Sequence, residues 1–211
     1  MLDIFNSANV SIIDSTFLDN SGTGISRHSF RANTGAVAIG YNNAPVHFPQ
    51  IVAEIARCAF INNRATAANK VRSTNNAFFS RIFSGRGGGL GVFYNESYHN
   101  ISLLVTDTCF ENNFARSFGG ALYLVKFGEQ TQNVYVLRGV NFTNNVAPLG
   151  GGALSNTFFS SGIPGSPNSL MMSDCIIVGN AGQTGGALSL YLPYAGTTSM
   201  CLLPCIQCLY I

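Results

Sequence analysis

The sequence repeats one short motif five times, and this repetition constrains the fold more than any other feature. The motif is an apolar residue, two variable residues and Asn, at Phe17–Asn20, Phe60–Asn63, Phe110–Asn113, Phe142–Asn145 and Ile177–Asn180. The steps between successive Asn residues are 43, 50, 32 and 35 residues. Repeats of this size are typical of solenoids, in which each unit buries its apolar face against its neighbours.

A second motif, a pair of glycines before a small or apolar residue, follows four of these five copies. It is found at Gly87–Leu90, Gly119–Leu122, Gly151–Leu154 and Gly185–Leu188, and in degenerate form at Gly35–Val37. Short runs rich in β-branched and aromatic residues flank both motifs, and no stretch keeps a 3.6-residue period. We therefore predict an all-β fold: a right-handed parallel β-helix of about five or more rungs with loop insertions.

The residue types in the first motif have a physical reason in such a stack. Rungs lie about 4.8 Å apart, so equivalent side chains lie directly above one another. An Asn amide both donates and accepts, so stacked amides can bond to one another. We predict one interior ladder of amides and one of apolar side chains, formed by Asn20, Asn63, Asn113, Asn145 and Asn180 and by Phe17, Phe60, Phe110, Phe142 and Ile177.

The repeats divide the chain into a β-helix domain, residues 1–195, and a Cys-containing tail, residues 196–211. Because a stacked fold needs polar caps, we expect the domain to be a fragment of a longer solenoid and to be joined to the rest of a longer parent protein. The first residues lack the basic and apolar regions of a signal peptide. The sequence contains no run of about 18 apolar residues, so no membrane span is predicted.

The FxxN and GGA(L/I) motifs quoted above resemble the repeats of polymorphic outer membrane proteins, and more loosely those of other pectin-lyase-like β-helix proteins. The resemblance covers roughly residues 10–192. It implies an extracellular or cell-surface protein used in adhesion or as a scaffold. The expected function is a non-enzymatic structural or adhesive module that binds a glycan or a cell-surface protein. The alternative is a polysaccharide lyase or glycoside hydrolase of the pectin-lyase-like type.

The carboxylates argue against metal and cofactor chemistry. Asp14, Asp107 and Asp174 share one column of the predicted stack, but Arg57 and Gly139 fall between them. The nearest Asp pairs are thus about two rungs, or ~10 Å, apart, whereas calcium needs several oxygens around one ion. We therefore predict that this column consists of turn-forming Asp residues with one Arg neighbour. Glycosidases need two carboxyl groups across the scissile bond. We expect no metal, cofactor or catalytic residue, although loops could bring distant acids together.

A basic segment is the best candidate for a binding surface. Charged residues make up only 9% of the chain, yet six cations and no acid lie between Arg57 and Arg86, interleaved with aromatic residues. This pattern predicts contact with a polyanion such as an acidic glycan, with nucleic acid not expected. The candidate contacts are Arg64, Lys70, Arg72, Arg81 and Arg86. The alternative is a solvated loop whose aromatic side chains pack over the solenoid.

The cysteines form two sets. Cys58, Cys109 and Cys175 precede the motif by one or two residues, which predicts small apolar side chains along one wall. Cys58 and Cys109 could form a disulfide if their rungs are adjacent. The tail spacing Cys201, Cys205, Cys208 matches the iron–sulfur loop of radical SAM enzymes, but that motif belongs at the start of a barrel. We therefore expect no cluster.

Overall fold

The computed structural model describes residues 2–5, 9–22, 34–41, 50–66, 85–94, 100–127, 133–159, 168–191, 198–202 and 207–209. These residues form strands and turns, and none of them lies in a helix. In this part of the chain no helix therefore has the length and apolar character needed to cross a membrane.

The strands of the described residues form four sheets, which we number in the order in which each complete coil crosses them. Sheet 1 contains β2 (Asn9–Ile13), β6 (Gln50–Ala56), β10 (Asn100–Thr106), β14 (Asn133–Arg138), β18 (Asn168–Ser173) and β22 (Thr198–Leu202). Sheet 2 contains β3 (Thr16–Leu18), β7 (Ala59–Ile61), β11 (Cys109–Glu111), β15 (Asn141–Thr143), β19 (Ile176–Val178) and β23 (Gln207–Leu209). Sheet 3 contains β4 (Ser21–Gly22), β8 (Arg64–Ala65), β12 (Phe114–Ala115), β16 (Val146–Ala147) and β20 (Ala181–Gly182). Sheet 4 contains β1 (Leu2–Phe5), β5 (Val37–Tyr41), β9 (Leu90–Tyr94), β13 (Leu122–Phe127), β17 (Leu154–Phe159) and β21 (Leu188–Tyr191).

The chain passes through sheets 1, 2, 3 and 4 in turn and then begins the next coil. Each strand pairs in parallel with its counterpart one coil away, as β10 does with β6 and β14. The described strands thus form five successive coils, which start at β2, β6, β10, β14 and β18. The predicted parallel β-helix is confirmed. A right-handed path is the sense that parallel crossover connections take almost without exception.

Loop insertions and the tail modify this regular plan. The longest connections run from β4 to β5 and from β8 to β9, both between sheets 3 and 4. Strands β22 and β23 pair with β18 and β19, so the stack continues beyond the boundary expected at residue 195. Cys201 lies in sheet 1 and Cys208 in sheet 2, while Cys205 lies outside the described residues.

Two columns of left-handed residues turn the chain at its corners. Between sheets 1 and 2 the positive-φ residues are Asp14, Arg57, Asp107, Gly139 and Asp174. Between sheets 2 and 3 they are Asp19, Asn62, Asn112, Asn144 and Gly179. Asp, Asn and Gly tolerate this conformation better than other residues do. The turn-forming role predicted for the Asp column is therefore confirmed, and Arg57 is the exception among these residue types.

The apolar residues of the FxxN motif stack along the interior. The ring centroids of Phe17, Phe60, Phe110 and Phe142 are 4.8, 4.7 and 5.2 Å apart in succession, with interplanar angles of 13°, 8° and 9°. Ile177 continues the column through its register with Phe142. Phe60, Phe110 and Phe142 are fully buried. Burial of one such side chain stabilises the fold by about 2–3 kcal/mol.

The Asn residues of the motif form a continuous hydrogen-bonded ladder beside these rings. Asn113 donates from its backbone N–H and from Nδ2 to Oδ1 of Asn145, at 3.0 and 2.9 Å. Its Nδ2 also donates to the carbonyl of Phe60 at 2.8 Å. The same bonds join Asn20 to Asn63, Asn63 to Asn113, and Asn145 to Asn180. Asn63, Asn113 and Asn145 therefore each bond to the Asn of the coil before and to the Asn of the coil after.

One interior residue departs from this satisfied pattern. Asn156 on β17 lies in register between Leu124 and Leu190, in a column that also contains Ile39 and Val92. It is 1% exposed, and neither Oδ1 nor Nδ2 has a hydrogen-bond partner among the residues that the structure describes. A buried amide without partners costs about 1–3 kcal/mol.

Removal of one ladder amide should destabilise the protein strongly. We expect Asn113→Ala to lower the free energy of unfolding by about 3 kcal/mol, because it leaves several buried donors and acceptors without partners. Chemical denaturation measures the change. The matched control is Asn141→Ala, which removes an exposed amide one coil away. Equal stability of the two variants would contradict the structural role of the ladder.

Replacement of Asn156 should have the opposite sign. We expect Asn156→Leu to raise the free energy of unfolding by about 1–2 kcal/mol, because it removes an unsatisfied amide from an apolar column. The smaller variant Asn156→Val should act in the same direction, which separates loss of the amide from the change in volume. Asn145→Leu serves as the contrast and should be destabilising. A lower melting temperature for both Asn156 variants would refute this assignment.

Candidate functional site

A groove of about 550 Å³ runs along the outer corner between sheets 1 and 2. Its charged residues are Asp14, Arg57 and Asp107, which come from three successive coils. Cys109 and Asn141, on the outer face of sheet 2, line it as well. The left-handed turns position the charged side chains, because they place the same corner residue of each coil in one column.

Arg57 and Asp14 form a two-pronged ion pair in this groove. Arg57 donates from Nε to Oδ1 of Asp14 at 2.7 Å and from Nη2 to Oδ2 at 2.8 Å. The side chains are 57% and 65% exposed, so solvent screens the pair. The hydrogen bond from Arg57 lowers the pKa of Asp14, and the same bond raises the pKa of Arg57. Near neutral pH both groups are therefore charged, so Asp14 cannot act as a general acid or Arg57 as a base.

Asp107 lies on the other side of Arg57 in the column. A Cβ atom on Gly139, one coil further, would lie 2.6 Å from Oδ1 of Asp107, so the glycine leaves space for this carboxylate. Asp14 and Asp107 are two coils, or ~10 Å, apart along the stack. The residue between them is Arg57. This differs from the hydrolase arrangement, in which two carboxyl groups face each other across the substrate.

The cysteines of the repeats lie on both sides of the wall. Cys58 and Cys175 are buried, and their thiols donate to the backbone carbonyls of Ala56 and Ser173. Cys109 is instead partly exposed on the outer face of sheet 2. The prediction of one common wall is therefore wrong for Cys109, because a shift of one residue along a strand reverses the side chain. Within the described residues Cys58, Cys109 and Cys175 are free thiols.

The next feature of the groove is the protonation state of its partly exposed thiol, Cys109. Burial, with a smaller contribution from Glu111, raises the pKa of Cys109, so this thiol is neutral near pH 7. Thiolates, rather than thiols, are nucleophiles and metal ligands. Within the ranges that the structure describes, no three His, Cys, Asp or Glu side chains are grouped closely enough to hold one metal ion.

The basic segment predicted to contact a polyanion is divided by the structure. Arg64 is exposed on sheet 3, and its guanidinium carbon lies 5.2 Å from the ring centroid of Phe114. Lys70, Arg72 and Arg81 lie outside the described residues. Only Arg64 and Arg86 of the five candidates can therefore be placed.

Arg86 is buried, contrary to its predicted place on a binding surface. It is 3% exposed, and its guanidinium carbon lies 4.9 Å from the ring centroid of Tyr123. Tyr123 belongs to a small apolar cluster on the outer face of sheet 4, with Phe93 and Val125. Burial lowers the pKa of Arg86 to about 10, so it stays charged near neutral pH. A side chain with so little exposed surface is not available to a large polyanion.

The structure also reveals an exposed cation, Arg116, that was not among the candidates predicted from the sequence. Arg116 is exposed, and its backbone N–H donates to the carbonyl of Ala65 at 2.9 Å. Arg116 follows the motif residue Asn113 by three positions, and Arg64 follows Asn63 by one. Alignment of the two repeats on their motif Asn would have placed both cations on the same part of the coil.

Comparison with known proteins agrees with the repeat pattern. Residues 107–124 and 139–157 match the model of the Chlamydia polymorphic membrane protein repeat. Each match begins at the corner between sheets 1 and 2, contains the FxxN motif and the Gly pair, and ends in a strand of sheet 4. The predicted resemblance to polymorphic outer membrane protein repeats is thereby confirmed. No protein of curated function and no solved structure gives a significant match.

The ion pair makes a prediction about pH. A carboxyl whose folded pKa is depressed contributes stability above its unfolded pKa of about 4, and this stability is lost as pH falls through the folded value. We expect Arg57→Gln to move the titration midpoint of Asp14 upward, measured by carboxyl carbon chemical shifts in NMR. Arg138→Gln, which neutralises an exposed cation three coils away, should leave it unchanged. An identical midpoint in wild type and Arg57→Gln would contradict the ion pair.

Proposed function

We propose that this chain, which carries two repeats of the Chlamydia polymorphic membrane protein type, is a non-enzymatic adhesive module of the cell surface. Its ligand is a glycan or a protein of another surface. The observation that carries the proposal is the continuous interior ladder of Asn20, Asn63, Asn113, Asn145 and Asn180. It holds five coils in one register, and the outer side chains form regular columns. A rigid array of this kind suits recognition of an extended ligand, because little ordering is needed on binding.

The protonation states in the corner groove support adhesion over catalysis. The ion pair keeps Asp14 and Arg57 charged, and the thiol of Cys109 is neutral near pH 7. General acid–base catalysis works best with a group whose pKa lies near the working pH. None of these three shifts brings the pKa of a group in the groove closer to 7.

The alternative function is a polysaccharide lyase or hydrolase, and one observation favours it. Two carboxylates and an arginine, Asp14, Asp107 and Arg57, line the same groove. A uronate chain could lie along this groove, with its carboxylates directed at the guanidinium. The distinction between the two functions then rests on whether bonds in the bound chain are broken.

Adhesion and turnover can be measured on the same preparation. We expect beads coated with the full chain to bind epithelial cells in a saturable way. The double ladder variant Asn113→Ala/Asn145→Ala should lose most of this binding, because the stack that displays the surface is dismantled. Absence of saturable binding by the folded wild-type chain would overturn the adhesive role.

The enzymatic alternative has its own readout. Incubation with polygalacturonate and with neutral glucans should release neither unsaturated products nor new reducing ends. If such products form and disappear in Asp107→Asn, the groove is a catalytic site and the non-enzymatic proposal fails. The control Asp174→Asn removes an exposed acid from the same corner column outside the groove.

A further inference from the structure

The basic insertion of the second coil leaves and rejoins the solenoid beside Arg116. Ala65, near the start of the β8–β9 connection, accepts the backbone N–H of Arg116 at 2.9 Å. Gly85, near its end, accepts both the backbone N–H and the hydroxyl of Ser117 at 3.0 Å. A Cβ atom on Gly85 would lie 2.7 Å from Cβ of Arg116. Arg116 therefore lies beside both ends of the connection, although 50 residues separate the motif Asn residues of the two coils.

Arg64 lies on sheet 3 in the neighbouring coil, and Arg116 directly follows β12 of that sheet. Phe114 on β12 is in register with Arg64 on β8, and the guanidinium stacks over the half-buried ring at 5.2 Å. Such a cation–π contact holds the guanidinium plane in one orientation and leaves its N–H groups free to face solvent. Arg116 follows Phe114 by two residues, so its side chain is on the same face of the chain as the ring of Phe114. The structure thus presents two exposed guanidinium groups, one of them oriented in advance.

The charge around this pair is one-sided. The five strands of sheet 3 contain one cation and no acid. Asp19, at the corner between sheets 2 and 3, and Glu111, on sheet 2, are exposed acids. Within the described part of the chain, neither Arg64 nor Arg116 forms an ion pair with them.

We propose that Arg64, Phe114 and Arg116 form a binding site for an acidic polysaccharide, in which Arg64 and Arg116 contact successive carboxylate or sulfate groups and Phe114 positions Arg64. This inference rests on the proposed function and names the ligand class for one face of the module. Guanidinium groups bind both anions through paired hydrogen bonds. Uronate and sulfated chains repeat their charges at short intervals, which matches cations on adjacent coils.

The arrangement of the Phe114 ring favours a glycan over a single-stranded nucleic acid as the ligand. Proteins that bind single strands stack bases on free aromatic faces. Here the guanidinium of Arg64 lies over the ring of Phe114. The site therefore offers charge contacts without a free stacking platform.

Binding of the full chain to defined polymers tests the proposal. The probes are dextran sulfate, polygalacturonate, neutral dextran of similar length and an oligothymidylate, each measured by biolayer interferometry at several salt concentrations. We expect binding to one or both acidic polysaccharides, no binding to neutral dextran and weaker binding to the oligonucleotide. Arg64→Gln and Arg116→Gln should each weaken the acidic complex about tenfold and reduce its salt dependence. The matched control Arg138→Gln, an exposed cation on sheet 1, should change neither.

Phe114→Leu tests the positioning role. It should weaken binding about threefold in the wild-type background and have no further effect in Arg64→Gln, whereas a purely structural role would weaken both alike. Equal affinities for Arg64→Gln, Arg116→Gln and Arg138→Gln would overturn the site, as would stronger binding of the oligonucleotide or no binding of either acidic polymer. If the double variant Arg64→Gln/Arg116→Gln still adheres to cells as wild type does, this site is refuted while the adhesive function stands.

Discussion

The hydrogen bonds between successive Asn amides are the interaction on which the rest of the structure depends. Asn63, Asn113 and Asn145 are fully buried, and each accepts two bonds from one neighbour while it donates to the other. A slip of one residue between coils would leave these polar groups unpaired inside the protein, at about 1–3 kcal/mol each. The ladder therefore fixes the register, which apolar packing alone would leave less strictly defined.

The positions of the outward-facing side chains follow from that register. Because coils are locked one above another, a side chain at one offset meets the side chain at the same offset 32 to 50 residues away. This is how Asp14 meets Arg57 at the corner and how Arg64 comes to lie over Phe114. The two surfaces differ in chemistry. At the corner Asp14 pairs with Arg57, whereas Arg64 on sheet 3 and Arg116, which directly follows β12, have no acidic partner among the described residues.

One interior side chain destabilises the fold, and the repeat motifs do not require it. Asn156 occupies a position in a column of Ile39, Val92 and Leu124, and within the described part of the chain its side-chain amide forms no hydrogen bond. The same amide chemistry thus stabilises the fold in one column and opposes it in another. The difference is the presence of a matching amide one coil away, since an Asn helps the interior only when its neighbours can pair with it.

The sequence by itself determined the parallel β-helix, because five copies of the motif keep the same spacing from apolar residue to Asn, and four of them are followed by a Gly pair, while the lengths between them vary. It also determined the turn-forming Asp column. Only the tertiary structure decided which surface residues are available. Arg86 is buried against Tyr123, and Cys109 faces outward while Cys58 faces inward. Arg116 lies beside an insertion from another coil. The physical reason is that strand side chains alternate with every residue and insertions break the period, so exposure depends on packing that no local pattern encodes.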